Sequence, residues 1–282
     1  MQAREEKIYR DSMNEIFSFQ IKTCEILDSI RIELNTKIPL EVANFFEYNL
    51  KNISKTIRIY FENALNYSDN YYLISETSSA ARMVFETITT LLYIFKSENF
   101  KAYYDYCLKT KELDEETLKN INKFLSTHQI ESGNEKPKII IKKLNTDISR
   151  LCSYLEYLKE KLNVESYSRF PKVGQRCKEL GIYWEFEYLS SYKIISNHLH
   201  GNVKGMHHEI LKNLNSENSL NEKYNVNQHW TWISSTLGQF VEEVSHLFSN
   251  NKQYHLYNDL KKAHSSALDK IYSSSSLNLT RA

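Results

Sequence analysis

Three side chains in this sequence have the types and spacing for concerted polar chemistry. Arg82 and Glu86 stand four apart in SAARMVFETITTLLYI, an otherwise apolar segment, and His200 follows more than a hundred residues later. A charged pair in so apolar a helix must reach water or be met internally, because an unpaired buried charge costs several kcal/mol or more. If met internally, Arg82 and Glu86 pair with each other and with His200 or Tyr188, and the bundle core holds a polar cluster.

The segment leading to His200 supplies the surroundings. Trp184, Tyr188, Tyr192, Ser196 and His200 are each four residues apart, which places them in a slowly winding stripe on a helix starting near Tyr183. Gly201 is a natural helix stop, so the imidazole sits near carbonyl ends that favour its protonated form. Tyr188, Tyr192 and Ser196, with Asn197 and Asn202 around the histidine, are the expected binding residues. The plainer alternative has Tyr188 and Tyr192 filling core space while His200 caps the helix. His198, His207 and His208 with Glu209 could gather a metal only through a loop. No metal and no cofactor is expected.

The elements that must position these groups read as helices throughout. Apolar residues recur at three- and four-residue steps from Met13 to Leu34 and again from about Glu41 to Leu65, with Pro39 between. A third helix, Ser75 to Phe95, is the most apolar and so expected at the centre. A tyrosine-rich stretch (Tyr103, Tyr104, Tyr106) precedes a short helix near Asp114 to Leu125, and His128 to Pro137 reads as an exposed loop. Ile141, Leu144, Ile148, Leu151, Leu155, Leu158 and Leu162 form a heptad-like seam for lengthwise packing against another helix. A matching seam runs through Trp230, Ile233, Leu237, Phe240, Val244 and Leu247. The polar stretch between them, Asn213 to Asn227, reads as a loop, and a last helix spans Tyr254 to Tyr272. The expected architecture is an all-α multi-helix bundle with long antiparallel helices. Residues 1–66 form an N-terminal hairpin docked on a main bundle at 67–272, and 273–282 form a disordered tail.

Composition agrees and excludes alternatives. The chain has 282 residues, 41% of them hydrophobic, and only 6 Gly and 3 Pro, too few for a sandwich or a Gly-rich nucleotide fold. Thirty-six basic residues against 35 acidic give no global footprint for nucleic acid or an anionic membrane. The longest uncharged apolar run, Thr87 to Phe95, is far short of the ~20 residues that span a bilayer. Cys24, Cys107, Cys152 and Cys177 lack a CxxC pair and read as reduced, mostly buried thiols of a cytoplasmic protein.

The Arg-x-x-x-Glu helix, followed by a tyrosine-rich helix ending Ser-x-x-x-His-Gly (Ser196 to Gly201), resembles a bacterial all-helical domain-of-unknown-function family, five-six-seven-seven. The resemblance covers roughly Asn70 to Asn202, and reaches Leu247 at its longest extent. The Asn-His-x-His-Gly-Asn ending is also similar to the HEPN superfamily, helical bundles that include metal-independent ribonucleases of toxin and phage-defence systems. That family's signature is Arg, four to six residues, then His on one helix. Here no Arg precedes a His at that spacing, and Lys193 is a poor substitute for a forked guanidinium. Two expectations follow. The first is a helical interaction module of a bacterial defence or stress system, binding a protein partner, another copy of itself or a small ligand through the polar cluster. The second is a HEPN-like ribonuclease acting on RNA through His200 and Arg82. Neither needs a membrane.

Overall fold

The fold was analysed in a computed structural model, which describes residues 2–29, 38–66, 73–128, 135–199 and 219–244, with 258, 259, 262, 265, 266 and 269. Among the described residues there is no strand. The helices are α1 (Gln2–Ser29), α2 (Leu40–Asn66), α3 (Leu73–Lys96), α4 (Lys101–Thr127), α5 (Glu135–Lys161), α6 (Val173–Leu180), α7 (Ile182–Glu187), α8 (Lys193–Leu199) and α9 (Ser219–Val244). A 3-10 turn at Glu98–Phe100 precedes α4, and a π turn at Tyr188–Tyr192 joins α7 to α8. The all-α bundle expected from the sequence is the architecture observed.

The described residues divide into two compact units, one from 1–92 and 176–282, the other from 93–175. Neither division falls at residue 66, where the sequence sets the end of an N-terminal hairpin. In the first unit α9 is the common partner. Gln20 of α1 donates to Ser234 at 2.5 Å, and Phe46 of α2 meets Phe240 at 6.1 Å between ring centres. From α3, Ser78 bonds His229 Nδ1 at 3.2 Å and Phe85 meets Trp232 at 5.0 Å. From α7, Trp184 Nε1 donates to Glu243 at 2.7 Å. A helix approached from so many directions must be apolar nearly all round, and Trp232, Ile233, Leu237, Phe240, Val241 and Val244 are all buried. Ile233, Leu237, Phe240 and Val244 belong to the expected seam. The side chains of Trp230 and Leu247 lie outside the described residues.

The second unit is built on a helical hairpin. The long seam of α5 packs against α4. Leu155, Leu158 and Leu162 are buried, whereas Ile141, Leu144, Ile148 and Leu151 are only half-buried. Tyr103 and Tyr154 share a hydrogen bond of 3.0 Å, and buried Asp105 accepts from Ser168 N at 3.1 Å and Ser168 Oγ at 3.0 Å. Asn163 ends α5 with φ 50°, while Val164 N bonds Lys159 O at 3.0 Å and Asn163 N bonds Glu160 O at 3.2 Å. That pair of bonds closes the last turn around a left-handed residue, a position where Asn is tolerated better than branched side chains.

Three sequence expectations are corrected. The tyrosine-rich stretch and the short helix after it are one helix, α4, because no Gly or Pro intervenes to stop propagation. Pro137, expected in a loop, lies in the first turn of α5, where its missing N–H would have had no helical partner anyway. The expected loop at 213–227 is helical from Ser219 onward, an extension of α9 through polar residues that contain no breaker. Its first part, most of the expected last helix and the tail at 273–282 lie outside the described residues.

Candidate functional site

Arg82 and Glu86 lie on the one flank of α3 that is not apolar. Ala80, Ala81, Val84 and Phe85 are buried, whereas the side chains of Arg82 and Glu86 are 29% and 36% exposed. Their four-residue spacing brings Arg82 Nε to Glu86 Oε1 at 2.7 Å. The same carboxylate oxygen accepts the Tyr192 hydroxyl at 2.5 Å, across 106 residues of sequence. The Arg82 guanidinium stands 5.5 Å from the centre of the Tyr192 ring. One carboxylate oxygen thus gathers a cation and a phenol from two helices.

The protonation states follow from this arrangement. The hydrogen bond to Glu86 holds the Arg82 proton more firmly than usual. Burial first, and then the Glu86 carboxylate, push the Tyr192 phenol well above its ordinary range. Tyr192 is therefore a neutral donor at physiological pH.

The π turn sets where Tyr192 arrives. The N–H of Lys193 bonds to the carbonyl of Tyr188, five residues back, so one extra residue is taken up between them. Tyr188 and Tyr192 stack at 5.3 Å with 23° between planes, and Lys193 Nζ lies 6.0 Å over the Tyr188 ring. Phe85 backs Tyr192 at 5.4 Å. The extra residue also interrupts the even four-step stripe expected from Trp184, displacing Ser196 by one position, and the stripe's last member, His200, lies outside the described residues. Gly181 opens α7 with φ 119°, a backbone conformation that a side chain would strain.

Of the residues singled out in the sequence, the structure brings together Arg82, Glu86 and Tyr192, with half-buried Tyr188 stacked alongside. Ser196 is half-buried on α8. Asn197 is described only as part of that helix, and His200 and Asn202 lie outside the described residues.

Two further features of this region have no signal in the sequence pattern. Ile182, Phe186, Leu189 and Ile194 are 89%, 63%, 51% and 52% exposed. They follow at four, three and five residues, and the five-residue step spans the π turn, so the turn keeps Ile194 in one outward row with Leu189. Periodicity alone hides this row, because its last step is wrong for an α-helix. The second feature is Glu187, half-buried on the same helix, whose carboxyl is raised by burial. Trp232, whose indole nitrogen has no fully formed hydrogen bond, and the Ser191 hydroxyl, 3.4 Å away, partly oppose that rise.

Comparison with known proteins bears on the whole region. No curated protein matches the chain, and no solved structure does. The likeness to the HEPN superfamily therefore has no match behind it. Residues 52–219, more than half of the chain, match the model of a family described as being of unknown function. That span takes in Arg82, Glu86, Tyr188 and Tyr192, and the chain belongs to this family, DUF5677.

Proposed function

We propose that this chain is a protein-binding module whose docking face joins the Arg82–Glu86–Tyr192 cluster to the outward row on α7 and α8. The observation that carries the reading is that the cluster is both built and open. Its members are held by short hydrogen bonds, yet Arg82 and Glu86 keep about a third of their side-chain surface in water. A sealed network would serve packing alone. Pre-ordered tyrosine and arginine in the cluster, and exposed aliphatic and aromatic side chains on α7 and α8, are the residue types in which interface hot spots concentrate. The setting expected from the family resemblance, a bacterial defence or stress system, belongs to this reading.

The ribonuclease alternative draws less support. It needs Arg82 to fork onto a phosphate, and the Glu86 carboxylate already holds that guanidinium at 2.7 Å. Its other essential group, His200, lies outside the described residues.

A photo-crosslinking amino acid placed at Phe186 in the full chain, expressed in its native cells, tests the reading. The expected result is a discrete adduct with one protein. Reconstituted from purified components, that complex weakens at least ~10-fold with Leu189→Glu and with Arg82→Ala. No adduct beyond that seen at an exposed control position, or a complex indifferent to both substitutions, overturns it. So does RNA cleavage by the purified chain that His200→Ala abolishes while helicity and thermal midpoint stay unchanged.

A further inference from the structure

The hairpin of the second unit carries a surface that complements itself. On α4, Leu113, Thr117, Asn120 and Phe124 follow at four, three and four residues and so form one row along the helix. Leu113 and Phe124, at the ends of the row, are 52% and 55% exposed. Glu112 and Glu116 border its first half, Lys119 and Lys123 its second, and all four side chains are exposed.

Read from either end, the row runs large apolar, small polar, small polar, large apolar, with an acidic border at one end and a basic border at the other. Such an order is its own complement under a two-fold axis crossing the helix between Leu118 and Lys119. A second α4 laid antiparallel on that axis sets Leu113 against the second copy's Phe124, and Thr117 against its Asn120. Glu116 then meets the second copy's Lys123 along the flank. The same operation repeats each contact on the other side of the axis, as a closed two-fold interface requires.

The receiving surface is already hollow. An open cleft of about 590 Å³ lies between α4 and α5, lined by Thr117, Asn120 and Phe124 from the row and by Pro137 and Ile140 from α5. Ile140 is 40% exposed. The second copy's Leu113 would arrive beside Phe124 at this cleft. A helix contact about 17 Å long, widened at each end by the α5 residues of the cleft, would bury about 600 Å² per partner, the low end for a specific interface.

We infer that the α4 face of this hairpin is a homodimer interface, in which two copies pack antiparallel about a two-fold axis near residues 118–119. This deepens the reading of the chain as an interaction module. Its test measures self-association of the purified chain, whereas the earlier test measures crosslinking of Phe186 to another protein, so either can fail without the other.

The experiment is sedimentation equilibrium on the full chain and three variants. Wild type associates as a dimer at concentrations of about 10 μM, within the usual range for an interface of this size. Leu113→Glu weakens the dimer at least ~100-fold, because a carboxylate replaces a leucine at an apolar contact. Its helical circular dichroism stays unchanged, since Leu113 is half exposed in the single chain. Lys123→Glu weakens the dimer about 10-fold by setting two like charges together, and adding Glu116→Lys to it restores affinity to within ~3-fold. A wild-type chain that stays monomeric at about 100 μM overturns the inference. So does a dimer untouched by Leu113→Glu, or a charge swap that fails to rescue Lys123→Glu. If wild type is monomeric and a single-stranded RNA oligonucleotide binds the lysines instead, the surface serves nucleic acid and the inference fails.

Discussion

The two units handle the same raw material, long amphipathic helices, in opposite ways. In the first, α9 is covered by α1, α2, α3 and α7, and its polar groups Ser234, His229 and Ser235 are each engaged by a side chain from a different helix. In the second, α4 and α5 pack on each other and α4 also on the segment 166–170, while Leu113, Phe124, Ile139 and Ile140 stand in solvent. The difference teaches that an apolar period marks burial only when enough neighbours exist to use it. Two helices offer each other one side apiece, and any further apolar row is left for another chain.

The largest effect that could break this comparison concerns two phenylalanines. Phe85 is 1% exposed and touches Trp184, Tyr192 and Trp232, so Phe85→Ala should cost about 3–5 kcal/mol of unfolding free energy. Phe124→Ala, at a half-exposed position, should cost under ~1 kcal/mol in the monomer. Denaturant melts of the two variants, at concentrations low enough to exclude association, check both. Equal losses would erase the distinction between a covered and an uncovered helix.

A smaller effect sharpens it through the thiols. Burial pushes Cys24 up to about 11 and Cys107 and Cys177 up to about 12, from an ordinary 9.0. Cys152, on the hairpin, is only half-buried. A thiol reagent at pH 8 should label Cys152 quickly in the native chain and reach the other three only on unfolding. The sign of the pH effect follows. The folded chain holds these protons more tightly than the unfolded chain, so their stabilisation is complete below pH 9 and is lost as pH rises toward 11 and 12. The thermal midpoint should fall across that window. A flat profile above pH 9 would contradict the burial of these thiols.

What the sequence made legible has a physical boundary. Helices emerge wherever apolar residues step by three and four, and the seam from Leu155 to Leu162 is buried as its period implies. The ion pair of Arg82 and Glu86 follows from their spacing within an apolar segment. The partner of α5 was not legible, since a seam reports that a helix needs a neighbour and not which one. Nor was the π turn: YLSSY carries no composition that distinguishes it from α-helix, and its effect is to keep Ile194 in a row with Leu189. The bond from the Tyr192 hydroxyl to Glu86 was not legible either, since it could be found only by bringing together helices far apart in the chain.

That meeting of α3 with the π turn is the centre of the account, and a double-mutant cycle tests it most directly. Unfolding free energies of wild type, Glu86→Gln, Tyr192→Phe and the double variant give the coupling between the two side chains. A charge-assisted hydrogen bond at a partly exposed site predicts a coupling of about 1 kcal/mol. Losses that simply add, to within ~0.3 kcal/mol, would mean that the Tyr192 hydroxyl and the Glu86 carboxylate do not meet, and would contradict the cluster on which the proposed function rests.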